Sequence, residues 1–212
     1  MEGDVILVEE HHRRAAARIV EAILGEIQGR EGRYAITVAG ESGSGKSETA
    51  QALADRLEDE GIRCAVLQQD DYFVLPPRSN DARRREDIGW VGTQEVKLDL
   101  MDRHLSDVLL GEDDLVKPLV IYAEDRITEE ILTLVGVKVM IAEGTYTTLL
   151  EHADKRIFIN RNRLETMAAR EKRGREQMDP FIERVLEIEH GIISKHRERA
   201  HIVITRDYDV EL

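Results

Sequence analysis

The 212-residue chain carries a formal net charge of -13, is 42% hydrophobic and 34% charged, and has a single cysteine and only 4% aromatic residues. This composition describes one soluble globular unit and excludes fibrous, disordered and disulfide-framed classes. The acidic balance repels nucleic acid and anionic membrane surfaces, so neither is expected as a partner.

The chain opens MEGDVILVEEHHRR, with acidic residues where a secretory signal would be positive, and no apolar run reaches membrane-spanning length. A cytoplasmic protein is expected, with one domain over residues 1–212 whose first 33 residues form a helical extension. From His12 to Ile27, Ala16, Ile19, Val20, Ile23, Leu24 and Ile27 recur at helical spacing, which predicts an amphipathic helix. An exposed apolar face on that helix would point to a homodimer.

Tyr34 to Val38 is short, apolar and β-branched, as in a strand buried on both faces. It runs into Gly40-Glu41-Ser42-Gly43-Ser44-Gly45-Lys46-Ser47, which fits GxxxxGK[ST] at every position, and a helix is predicted from Lys46 to about Glu60. Glycines there permit backbone angles that turn successive N–H groups inward, and the helix N-terminus adds partial positive charge. Residues 40–47, with Glu48 one step further, are the expected contacts to a nucleoside triphosphate. Lys46 would reach the terminal phosphates, and the Ser47 hydroxyl would sit on Mg²⁺.

Further strand-like runs lie at Arg63–Leu67, Val137–Ala142, Arg156–Ile159 and Ile202–Thr205, with helical patterns between them, the last from Pro180 to His196. Such alternation predicts a three-layer α/β fold with a mainly parallel sheet and ligands at the carboxyl ends of its strands. At one such end stands LQQDDYF. Asp70, beside the phosphate cradle, is a candidate base for an attacking hydroxyl. There is no LSGGQ-like signature of a transporter ATPase and no NKxD-like motif of a GTPase.

GESGSGKSETA, LQQDDYF, HLSDVLLGE, KPLVIY, IAEGTY and REKRGRE follow one another in an order that resembles the uridine kinase and phosphoribulokinase family of P-loop kinases. At QDDYF the chain is also similar to nicotinamide riboside kinases. The resemblance implies that Asp70 is the catalytic base, with Asp71 a neighbour. It also implies that Glu143 organises Mg²⁺ and that Arg170, Arg173 and Arg175 belong to a lid over the triphosphate.

Charge supports the lid independently: Arg161, Arg163, Arg170, Lys172, Arg173 and Arg175 crowd a short span of an otherwise acidic protein, and guanidinium forks match phosphate. The alternative is a solvated helix face paired with acids such as Glu165 and Glu171. ATP and Mg²⁺ are thus the expected cofactors, and a hydroxyl-bearing small molecule the expected acceptor.

For the acceptor, Tyr72, Phe73 and Tyr122 could form an aromatic wall, with Arg126 nearby; Trp90 reads as core filler or lid anchor. Uridine kinases carry roughly PxYD followed by histidine and arginine, whereas Pro118–Arg126 has the tyrosine and the arginine but no histidine. A nucleoside is the leading acceptor, and a sugar phosphate or pantothenate-like acid the alternative. Arg78, Arg83, Arg84 and Arg85, in the loop-like PPRSNDARRRED, would greet such an acid or be balanced by Asp81, Glu86 and Asp87. A nucleotide-binding regulator without transfer activity is the reading from another class. None of the seven histidines has metal-ligand spacing, and none is assigned a role.

Overall fold

The computed structural model describes residues 6–167 and 179–212. Its elements in chain order are α1 (Glu10–Gly29), β1 (Tyr34–Gly40), α2 (Lys46–Asp59), β2 (Cys64–Gln68), α3 (Pro77–Glu86), α4 (Leu98–Leu110), β3 (Asp114–Ile121), β4 (Arg126–Thr133), β5 (Val139–Glu143), β6 (Lys155–Ile159), α5 (Pro180–Ile193), β7 (Ile202–Ile204) and β8 (Val210–Glu211). Six strands form one sheet in the order β2-β5-β1-β6-β7-β8, parallel throughout except for the antiparallel β8.

The central strand β1 is buried along its whole length because helices cover both faces. Ile36 and Val38 face one side with Ile141, Ile157 and Ile159, under Ile19, Ile23 and Ile27 of α1 and Leu53 and Leu57 of α2. Ala35 and Ala39 face the other with Met140, Ala142 and Phe158, against Met101, Leu105 and Val108 of α4. The period of two in each strand thus divides one apolar run between two cores. The apolar face expected on the N-terminal helix is spent inside the molecule: Ala16, Ile19, Val20, Ile23 and Ile27 are all buried.

Three features depart from the sequence reading. The PPRSNDARRRED segment is the helix α3, not a loop; Pro77 stands at its first turn, where a missing N–H costs nothing. Residues 114–133 form a separate antiparallel hairpin, β3 with β4. The C-terminal end adds the short β8, which sets Tyr208 in a left-handed turn with φ 64°. No helix among the described residues is long and apolar enough to cross a membrane.

Candidate active site

Parallel register brings three chemistry-bearing segments to one edge of the sheet. Glu143 ends β5 opposite Val38 of β1 on one side and Gln68 of β2 on the other. Two residues beyond Val38 begins the glycine-rich loop, and two beyond Gln68 stands Asp70, in a short 3-10 turn.

The loop has the backbone an anion cradle needs. Gly43 and Gly45 adopt positive φ of 75° and 94°. A Cβ at Gly45 would lie 2.1 Å from the Tyr208 hydroxyl, so the position is closed to other residues on two counts. The Ser44 hydroxyl is fully buried and finds no hydrogen-bond partner among the described residues, an orphan that a phosphate oxygen would satisfy. Lys46 donates to the Glu41 carbonyl at 3.1 Å, at the mouth of the loop.

Ser47 Oγ donates to Glu143 Oε1 at 3.1 Å. Burial, and then the negative charge of nearby Asp70, push the Glu143 carboxyl up to about 7. The Ser47 hydroxyl and the Glu143 carboxylate, with Asp70 close by, are hard oxygen donors that suit Mg²⁺. No group of three or more His, Cys, Asp or Glu among the described residues could hold a metal alone. A sparse set is what a Mg²⁺ ion needs when phosphate oxygens and water complete its shell.

Asp70 and Asp71 have opposite surroundings. Asp70 is half-buried at the strand end, whereas Asp71 is buried, accepts from Val120 N at 2.9 Å and pairs with Lys117 Nζ at 2.9 Å. Lys117 also meets Glu130 at 2.7 Å. Asp71 therefore fastens the hairpin to the turn that presents Asp70.

The acceptor residues read from sequence scatter. Tyr72 corrects an expectation: its ring is 0% exposed and its hydroxyl lies 2.9 Å from His104 Nδ1, so it fills the core and walls no open site. Phe73 is half-buried and bridges to Val96. Tyr122 and Arg126 stand exposed at the hairpin turn, with Arg126 on Glu124. Arg126 also lines a cavity of about 1020 Å³ between the hairpin and α4, together with Val74, Pro76, Lys97, His104, Thr128 and Glu129.

The loop arginines pair with acids. Arg83 meets Glu86 and Asp87 and lies over the half-buried Trp90, whose Nε1 donates to Asn80; Arg85 meets Asp81 and Asp179. Arg84 is drawn inward onto Glu95 at 2.5 Å and Glu189 at 3.0 Å. Arg78 donates to the Ala123 carbonyl, tying α3 to the hairpin turn.

Of the arginine-rich span, Arg161 lies over the Tyr208 ring and Arg163 pairs with Glu183. Arg170, Lys172, Arg173 and Arg175 lie outside the described residues. Sequence reasoning missed Lys117, and it assigned no role to His190, whose Nδ1 is 2.6 Å from Glu41 Oε1 inside the phosphate loop. Only the KPLVIY segment carried a local signal for any of these contacts.

A glycine cradle at a helix N-terminus, a carboxylate-bound serine and an aspartate one strand away are the layout of a P-loop nucleotide-binding fold. The chain belongs to the phosphoribulokinase/uridine kinase family, whose model matches residues 35–206. It is 29% identical, over 93% of its length, to the bifunctional alpha-galactosidase/sucrose kinase AgaSK of Mediterraneibacter gnavus, and spans 23% of that protein. Among solved structures it is similar in fold to a Silicibacter protein assigned as a fructose transport system kinase. There the TM-score is 0.64 at 20% identity, covering 88% of this chain and 94% of that one. It is equally similar to a Bacillus stearothermophilus protein assigned as a uridine kinase, with TM-score 0.64 at 18% identity, covering 90% of this chain and 97% of that one.

Proposed function

We propose that the protein transfers the terminal phosphate of ATP to a hydroxyl of a small polyhydroxylated, sugar-like molecule. The observation that carries phosphoryl transfer is the convergence of Ser47, Glu143 and Asp70 beside an anion cradle with an unpartnered Ser44 hydroxyl.

In this mechanism the loop N–H groups and Lys46 hold the phosphates, with Lys46 exchanging its contact to the Glu41 carbonyl for a phosphate oxygen. Ser47 and Glu143 would hold Mg²⁺, which when bound screens phosphate charge. Asp70 accepts the proton of the acceptor hydroxyl as its oxygen bonds to the γ-phosphorus and the bond to the β-phosphate oxygen breaks, leaving ADP. Fixed donors and positioned reactants supply most of the rate enhancement.

Two observations favour a sugar-like acceptor over a nucleoside. One of the two aromatic residues best placed for a base-stacking role, Tyr72, is consumed by the core. The cavity beside the segment after Asp70 sets Lys97, Asp125, Arg126, Thr128 and Glu129 among apolar residues such as Val74, Leu100 and Ile127. Polar groups of this kind suit many hydroxyls better than a flat base. The AgaSK relative, a sucrose kinase by name, supports the same reading. The exposed Tyr122 is what favours a nucleoside as the second reading.

ADP release with Mg²⁺ and ATP, measured against sugars, nucleosides, sugar phosphates and hydroxy acids, tests the proposal. Turnover stimulated by a sugar supports it. Stimulation by a nucleoside alone replaces the acceptor class, and ATP binding with no stimulation by any of them favours a nucleotide-binding regulator.

A further inference from the structure

The second residue of the phosphate loop is an acid. Glu41 is only 7% exposed, and its carbonyl accepts from both Ser44 N and Lys46 Nζ, at 3.1 Å each, so its backbone is part of the cradle. A carboxylate in a loop shaped to receive a polyanion opposes its ligand, and the repulsion grows as separation and local dielectric fall.

The structure shows where that charge is held. Glu41 Oε1 lies 2.6 Å from Nδ1 of His190, which projects from the last turn of α5. The same turn is held from the other side, because the preceding residue, Glu189, meets Arg84 of α3 at 3.0 Å. The start of α5 is set as well: Asp179 caps it by accepting from Ile182 N and meets Arg85. The imidazole therefore occupies a defined place beside the loop.

We propose that His190 is a positioning residue for the donor phosphates: by holding the Glu41 carboxylate against α5, it keeps that charge from competing for the loop's N–H groups and Lys46. The inference rests on ATP being the bound donor. It assigns a role to a side chain that touches neither the phosphates nor the acceptor.

Equilibrium binding of Mg²⁺-ATP and of ADP to the wild type, His190→Ala, Glu41→Gln and the double variant tests it, with a thermal melt confirming that each is folded. His190→Ala is expected to bind ATP about ten-fold more weakly, with a smaller loss for ADP, because the penalty scales with ligand charge. Glu41→Gln is expected to bind ATP about two-fold more tightly than the wild type, and the double variant to follow Glu41→Gln. His190→Ala binding like the wild type, or a double variant as weak as His190→Ala, overturns the positioning role alone. Failure of the wild type to bind ATP overturns the proposed function together with it.

Discussion

The hydroxyl of Tyr208, near the C-terminal end of the chain, donates to the carbonyl of Ser44 at 2.6 Å, inside the phosphate loop. The contact continues into α1. His12 Nδ1 accepts from Glu9 N at 3.0 Å, so its Nε2 carries the proton and faces the Tyr208 oxygen at 3.2 Å. Two segments nearly 200 residues apart thus brace the cradle from behind. Tyr208→Phe leaves the Ser44 carbonyl and His12 without a buried partner, and is expected to cost about 1–3 kcal/mol and to weaken ATP binding. Denaturant unfolding and nucleotide titration read the two effects separately.

The same brace makes stability depend on pH. Burial, then the neighbouring His11, hold His12 down at about 4 against an ordinary 6.5. Because the unfolded chain takes up this proton first, stability is complete above about 6.5 and falls as pH drops toward 4, by up to roughly 3 kcal/mol. Burial lowers His104 and His196 as well, so they add to the slope with the same sign. His12→Gln is expected to be less stable than the wild type at neutral pH and to lose less on acidification, which melts between pH 4 and 7 would reveal.

The buried Lys117–Asp71 pair is expected to matter more for the hairpin than for the phosphates. Lys117→Met strands a carboxylate that is 1% exposed, and is expected to destabilise by about 3–5 kcal/mol. Removing both charges together, as Lys117→Met with Asp71→Leu, is expected to cost less than Lys117→Met alone. Urea unfolding of the variants checks the order.

Much of this architecture is legible in the residues themselves. The five strand-like runs, the phosphate loop and the helices at Lys46 and Pro180 show because each carries a local rule: β-branched runs, glycine spacing, or period 3.6. The remainder has none. α3 buries only Asn80, so hydrophobic periodicity cannot reveal it. In the hairpin the alternation is blurred: Lys117 is buried alongside Leu115 and Val120, while Val116 is 55% and Ile131 68% exposed, so ion pairs share the inward face with apolar contacts. Tyr72 misleads because its place in a motif says nothing about which way its ring points. His12, His190 and Tyr208 act on the loop from positions that only the folded chain brings near it.

Glu143→Gln removes the anionic partner of Ser47. The expected result is a roughly 10–100-fold weaker apparent Mg²⁺ affinity, with nucleotide binding in the absence of metal little affected. Initial rates against Mg²⁺ at saturating ATP would check it.

The central claim is that Asp70 takes the proton of an attacking hydroxyl beside the phosphate loop. Its most direct test is single-turnover phosphoryl transfer by Asp70→Asn, with the acceptor that the wild type uses and with ATP binding measured alongside. The account predicts a loss of roughly 10²–10⁴-fold in the transfer rate with ATP affinity retained. Transfer at the wild-type rate by Asp70→Asn would contradict it.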